Sequence, residues 1–187
     1  HLYKLKNRKG YKNIEKIGIL CASDTELEPF LKLISFSQVI EKSMLKFHLG
    51  RINETEIVAV YSGVCKVNAA IAVQVLIDLF HVDCVVNAGT AGGMEESVRL
   101  FDTVVSERMV YHDVAEDILT EFHPWLKENC FTADPRLLDA AKRYKEKTEY
   151  PILFGVMATG NSLSRMKKGR SKEFGKWLTK NIVVSIM

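Results

Sequence analysis

Two kinds of apolar run alternate along this chain. Short, nearly continuous apolar blocks bounded by Gly, Ser, Asn or Asp read as buried strands. Longer stretches with apolar residues every three or four positions read as helices. On this basis Lys16–Ala22, Phe47–Ile52, Glu56–Tyr61, Asp83–Val86, Asp102–Met109, Ile152–Ala158 and Ile182–Met187 are predicted strands. Thr25–Leu33, Lys66–Phe80, Pro135–Tyr144 and Ser171–Thr179 are predicted helices. The stretch Lys66–Phe80 carries the clearest helical signal, with Ile71, Val75 and Leu79 four residues apart and Ala72 and Leu76 beside them. The turn Asn53-Glu54-Thr55 joins two of the strands, and Val114–Cys130 reads as irregular. Such alternation predicts an α/β fold, a three-layer αβα arrangement in which helices cover both faces of a central mixed sheet.

Composition narrows the class. A chain of 187 residues that is 47% hydrophobic can bury a core as one domain. No apolar run reaches the length of a membrane span, and the start, His1-Leu2-Tyr3-Lys4-Leu5-Lys6, lacks the continuous apolar stretch of a signal peptide. The net charge of +3 is concentrated at one end: residues 1–16 sum to +5 and the remainder to −2. Residues 1–15 are therefore expected to form a basic, flexible arm, and 16–187 a nearly neutral folded body that offers no nucleic-acid-binding surface. Cys21, Cys65, Cys84 and Cys130 make no C-x-x-C and no metal-ligand spacing. Cys21 and Cys84 lie in apolar strand-like segments and read as small buried hydrophobes in a reducing compartment, and the expected localisation is cytoplasmic.

Candidate chemistry gathers where predicted strands end. In an α/β sheet, ligands bind in the crevice formed by the loops after the strands. Ser23–Glu26, Ser62–Lys66, Ala88–Met94 and Thr159–Arg165 are four small, polar loops of this kind. The most distinctive is Asn87-Ala88-Gly89-Thr90-Ala91-Gly92-Gly93. It lacks bulk, so a ligand can lie directly against its backbone N–H groups; a plain tight turn is the equally weighted alternative. Ser23-Asp24-Thr25-Glu26 matches a capping box, S-x-x-E, in which Glu26 would bond the start of a helix.

Taken in order, Lys16–Ala22 followed by Glu26, Ser62-Gly63-Val64-Cys65-Lys66-Val67-Asn68-Ala69-Ala70, Asn87–Gly93, Asp102-Thr103-Val104-Val105-Ser106 and Tyr111-His112-Asp113 resemble the 5′-methylthioadenosine/S-adenosylhomocysteine nucleosidases of the nucleoside phosphorylase superfamily. The resemblance extends from about Lys16 to Met187. It implies a nucleoside phosphorylase-like fold and hydrolysis of the N-glycosidic bond between adenine and a 5′-alkylthioribose. No metal and no organic cofactor are implied. Phosphorylases of the superfamily carry a Gly-Asp-Pro type phosphate loop after the first strand. Here Cys21–Glu26 stands instead, and a carboxylate there would repel phosphate and suit a water nucleophile. The resemblance thus implies that Glu26 holds the attacking water. It also implies that Thr90, Ala91 and Gly92 line the base and ribose region, that Val64 packs near the sugar or alkylthio end, and that Leu163 and Ser164 lie in the loop that holds adenine. Met187 closes the strand that enters the ribose site.

Two departures from the family pattern carry expectations of their own. The adenine loop has Leu163 and Ser164 where the family usually places an aromatic ring, a loss of stacking of ~0.5–1.5 kcal/mol. The family's ribose-holding glutamate and its aspartate general acid have no counterpart before Met187. Either the protein continues past Met187, which the intact core pattern favours, or it is an inactive, truncated nucleoside-binding or dimerisation module. A purine or uridine phosphorylase is the competing enzyme. His112 reads as structural, because His112 and Asp113 would face opposite ways in a strand. The apolar stretch Ile118–Trp125 reads as a self-packed loop, which in the family completes the pocket of a neighbouring subunit and so implies a symmetric homodimer. The basic run Lys167, Lys168, Arg170 and Lys172 reads as a solvated loop.

Overall fold

A computed structural model describes residues 14–93, 97–115, 117–122, 125–160 and 185–186. Its frame is a mixed sheet. Strand β1 (Lys16–Cys21) leads through helix α1 (Asp24–Leu31) to an antiparallel meander of β2 (Ser35–Lys42), β3 (Leu45–Ile52) and β4 (Thr55–Tyr61). Helix α2 (Lys66–Asp78) then crosses to β5 (Cys84–Asn87). Beyond lie β6 (Thr103–Tyr111), α3 (Ile118–Phe122), β7 (Phe131–Thr132), α4 (Pro135–Lys145), β8 (Ile152–Thr159) and β9 (Ser185–Ile186). The strand order is β2-β3-β4-β1-β5-β9-β6-β7, with β8 parallel to β6 along its length.

Strand β1 sits between β4 and β5 and is parallel to both. Its residues Ile19, Leu20 and Cys21 are all buried, as expected for a strand covered on both faces. Alternation splits them between two cores. Leu20, with Val58 and Val60 of β4, packs under Ala72 and Leu76 of α2. Ile19 and Cys21, with Ile57 and Ala59, pack under Leu27 of α1. The two helices therefore lie on opposite faces, which is the three-layer arrangement expected from the pattern. A smaller cluster joins Val105 and Ile152 to Leu137, Leu138 and Ala141 of α4.

Several readings of the sequence change. Strand β2 was not expected. Its pairing with β3 shifts register between Phe36 and Gln38, which interrupts the period-two alternation that reveals a strand. The stretch Val114–Cys130 is not wholly irregular, since it contains α3. In α2 the buried stripe is Ala72 and Leu76, whereas Ile71 and Leu79 are close to half exposed. The helix is apolar nearly all round, so periodicity does not choose its inner face. The expected helix Ser171–Thr179 and most of the expected strand Ile182–Met187 lie outside the described residues, as does most of the basic arm.

The loop into β6 holds an exposed strain. Phe101 has φ +72° and is fully exposed, as is most of Leu100. A bulky side chain in the left-handed region costs about 1 kcal/mol or more, and here no packing offsets it. Phe101→Gly should therefore stabilise the protein by about 1 kcal/mol. A thermal melt that shows no rise in Tm for this variant would place a compensating contact at the ring.

Candidate functional site

Parallel pairing puts three loops on one edge. The Ser62 N–H donates to the Cys21 carbonyl at 2.9 Å, and the Ala88 N–H donates to the Leu20 carbonyl at 2.8 Å. The chain thus leaves β4, β1 and β5 side by side, at their carboxyl ends. The loops at 22–26, 62–66 and 88–93 follow directly.

Glu26 is the hub of this edge. Ser23 is the N-cap of α1, and its Oγ accepts from the Glu26 N–H at 3.3 Å. Glu26 reaches back so that its Oε2 accepts from the Ala22 N–H at 3.0 Å. The helix-capping arrangement read from S-x-x-E is present, shifted by one residue on its return bond. The other carboxylate oxygen does something the local sequence does not specify. Oε1 accepts from both the backbone N–H and the hydroxyl of Thr90, each at 2.7 Å, across 64 residues of chain. Gly89 makes this approach possible. A β-carbon there would sit 2.9 Å from Cδ, Oε1 and Oε2 of Glu26, too close without displacing the carboxylate.

The electrostatics follow from these bonds. Partial burial would raise the Glu26 pKa, but the backbone and side-chain hydrogen bonds from Thr90, with backbone bonds from Ala22 and Ser23, outweigh it. The net shift is downward, so the carboxylate stays ionised near neutral pH and acts only as an acceptor. Cys21, at the end of β1, is pushed up to about 12, first by burial and then by the charge of Glu26. Its thiol is neutral and is no nucleophile.

The neighbouring loop is built differently. Cys65, the N-cap of α2, has φ +89° and makes no side-chain cap. Asn68 Nδ2 instead donates to the Val64 carbonyl at 2.8 Å, and Ser62 Oγ donates to the Gly63 carbonyl at 2.8 Å. This holds Val64 with its side chain about half exposed. Lys66 Nζ spans to Asp113, 3.0 Å from Oδ1 and 3.3 Å from Oδ2, and stands 4.2 Å from the centre of the Tyr111 ring. The His112 N–H donates to the Thr159 carbonyl at 3.0 Å, and the His112 ring lies directly against Gly160.

Of the residues singled out from the sequence, Glu26 and Thr90 are thus in direct contact. Ala91 and Gly92 are exposed in the turn that continues from Thr90, and Val64 lies on the same edge. Leu163, Ser164 and Met187 lie outside the described residues. The Lys66–Asp113 link and the role of Gly89 escaped the sequence reading. Lys66 carried one signal: a cation in the first turn of a helix opposes the macrodipole and needs a reason. Among the described residues no group of His, Cys, Asp and Glu has the arrangement of a metal site. A charged cleft of about 530 Å3 opens at the opposite edge, lined in part by Lys16, Arg51, Glu56 and Asp83. Within it Glu56 pairs with Lys16 and Arg51, and Asp83 accepts from the backbone N–H groups of Glu15 and Lys16.

Comparison with known proteins agrees with this architecture. A sequence profile described as "Phosphorylase superfamily" matches residues 16–179. The chain is 28% identical over 158 residues to a 5′-methylthioadenosine/S-adenosylhomocysteine nucleosidase of Staphylococcus epidermidis, covering 83% of this chain and 69% of that protein. It is 30% identical over 154 residues to the protein of the same name from Oceanobacillus iheyensis, covering 81% and 67%. It spans, in other words, about two thirds of these relatives. Among solved structures, the Neisseria meningitidis nucleosidase in complex with methylthio-immucillin-A matches with a TM-score of 0.77 and 26% identity, over 87% of this chain and 71% of that one. Futalosine hydrolase of Helicobacter pylori matches with a TM-score of 0.76 and 26% identity, over 87% and 71%.

The lowered pKa of Glu26 has a consequence for stability. Between its folded pKa and the ordinary value of about 4.3, the unfolded chain binds the proton and the folded chain does not. The stabilisation is therefore complete above the ordinary carboxylate range and is lost as pH falls through the folded pKa. Glu26→Gln should flatten the acid side of the stability–pH curve, by up to about one proton's worth of slope. Denaturant unfolding between about pH 3 and pH 6 tests this; an unchanged acid limb would mean that the bonds to Thr90 do not form in solution.

Proposed function

The chain belongs to the Phosphorylase superfamily, and from that premise we propose that it hydrolyses the N-glycosidic bond of 5′-methylthioadenosine and S-adenosylhomocysteine, releasing adenine. The observation that carries the reading is the Glu26 carboxylate, ionised and bonded to Thr90 of the Gly-rich turn. The resemblance sets this negative charge in the place of a phosphorylase's phosphate loop, and a carboxylate there would repel phosphate and suit a neutral nucleophile. The names of the relatives at 28% and 30% identity point the same way.

The chemistry asked of the site is modest in covalent terms. The bond from the sugar to adenine breaks with its electron pair leaving on the base, and the sugar becomes oxocarbenium-like. Water adds to the anomeric carbon and loses a proton. Glu26 orients that water and accepts its proton, and its charge favours the cationic sugar. A carboxylate of lowered pKa is a weak base, but water attacking an oxocarbenium carbon needs little activation. Because Glu26 is ionised, the proton that adenine takes up comes from a separate acid. Thr90, Ala91 and Gly92 receive the base and ribose, Val64 the sugar or alkylthio end, Leu163 and Ser164 the adenine, and Met187 the ribose. No cofactor takes part. Futalosine hydrolase shares the fold at nearly the same TM-score as the nucleosidases, so the frame alone does not choose the substrate and the choice falls to side chains at the site.

A homodimer in the cytoplasm completes the reading. Val67 and Ile71 expose 67% and 45% of their surface in the first turns of α2, and Phe122 and Trp125 expose 65% and 73%. A second copy would cover these exposed apolar side chains. All four cysteines are free, in keeping with a reducing compartment.

Adenine release is expected in phosphate-free buffer, with no acceleration on adding phosphate. Glu26→Gln should slow it by at least ~100-fold while an unreactive adenosine analogue binds with nearly unchanged affinity. Strict dependence on phosphate would make the protein a phosphorylase, and analogue binding without any adenine release would make it a binding module. Sedimentation equilibrium should give twice the chain mass, and Val67→Glu with Ile71→Glu should shift it to monomer; a wild-type monomer at high concentration would remove the dimer from the proposal.

A further inference from the structure

We propose that Lys66 is a positioning residue: its ion pair with Asp113 braces the 62–66 loop against the end of β6 and so sets the wall that Val64 presents to the substrate. The inference deepens the nucleosidase reading and rests on it for the identity of that substrate.

The start of α2 violates three local preferences at once. Its N-cap, Cys65, is a non-glycine residue at φ +89°. That residue makes no side-chain cap, and the first helical residue is a cation. Each choice disfavours a helix start: the first by backbone strain, the second by an orphaned donor, the third by the macrodipole. Conflict between local preference and observed structure is expected where tertiary contacts impose a functional geometry. The contact here is the Lys66–Asp113 pair, which links residues 47 apart in sequence.

Its setting distinguishes it from the other ion pairs between distant elements among the described residues; Arg136–Asp134, which is as well buried, joins residues two apart within one helix start. Both side chains are only 24% exposed, and the ammonium is also held over the Tyr111 ring. Lys32–Glu28 and Arg143–Asp139 are local helix pairs with all side chains more than 60% exposed. Exposed pairs of that kind contribute little, whereas a half-buried bridge with two hydrogen bonds and a cation–π contact fixes geometry. The segment it engages is itself anchored. Between Tyr111 and Asp113 stands His112, whose N–H bonds Thr159 and whose ring closes on Gly160. The brace therefore connects the sugar-side loop to the point where the base-side loop departs.

The test compares wild type with Lys66→Met, which keeps an unbranched apolar stem, Lys66→Arg, and Asp113→Asn. Lys66→Met and Asp113→Asn should each raise KM for 5′-methylthioadenosine about tenfold and lower kcat less than threefold. The double variant should be no worse than either single one, and Lys66→Arg should recover most of the affinity. In parallel, amide hydrogen exchange without ligand should speed up at 62–66 and 111–113 in Lys66→Met while the β1, β4 and β5 amides keep their protection. Equal exchange in wild type and variant would overturn the brace whatever the enzyme does. Faster exchange with KM unchanged, or additive effects in the double variant, would overturn the positioning role. If wild type released no adenine, the nucleosidase reading would fall alone, and analogue affinity across the same variants would still decide the brace.

Discussion

Everything at the site depends on the parallel pairing of β1 with β4 on one side and β5 on the other. Parallel strands end together, so the loops that follow them open on the same edge. Residues near 22, 62 and 88 are distant in sequence, yet the backbone bonds from Ser62 to Cys21 and from Ala88 to Leu20 set them side by side. The two cores hold this pairing from opposite faces, with Leu20 and Leu76 on one and Cys21 and Leu27 on the other. The sheet supplies rigidity, and the loops supply polar groups.

Within that frame, one carboxylate does two jobs. Glu26 ends its own helix start and ties that start to the Gly-rich turn through Thr90. The donors that satisfy it are the same ones that keep it charged. The bonds that cap the helix leave the carboxylate ionised, so the capping arrangement does not compete with the role proposed for it. Gly89 leaves room for the carboxylate where it meets Thr90, since a β-carbon there would displace it. The 62–66 loop follows another logic, in which an unfavourable helix start is held by a partner from β6.

Much of the frame was legible beforehand. The buried runs at β1, β4 and β5 and the capped start of α1 follow from residue type and spacing alone, because burial on two faces and N-capping leave local marks. The motifs around Glu26, Val64 and Thr90 were likewise visible as small, polar strand ends. Strand β2 was hidden because its register shift breaks the alternation. The inner face of α2 was hidden because an apolar helix has no obvious outside.

The chain's own pattern was thus enough to mark the strands β1, β4 and β5 and the helices α1 and α2, to predict that they form an α/β layer structure, and to offer Glu26 as part of a helix cap. Those are local properties, written in periodicity and in neighbours a few residues apart. The meeting of Glu26 with Thr90, the need for Gly89 and the reach of Lys66 to Asp113 were decided only in the folded molecule. They join residues tens of positions apart, and neither propensity nor hydrophobic period encodes which distant side chain will stand opposite.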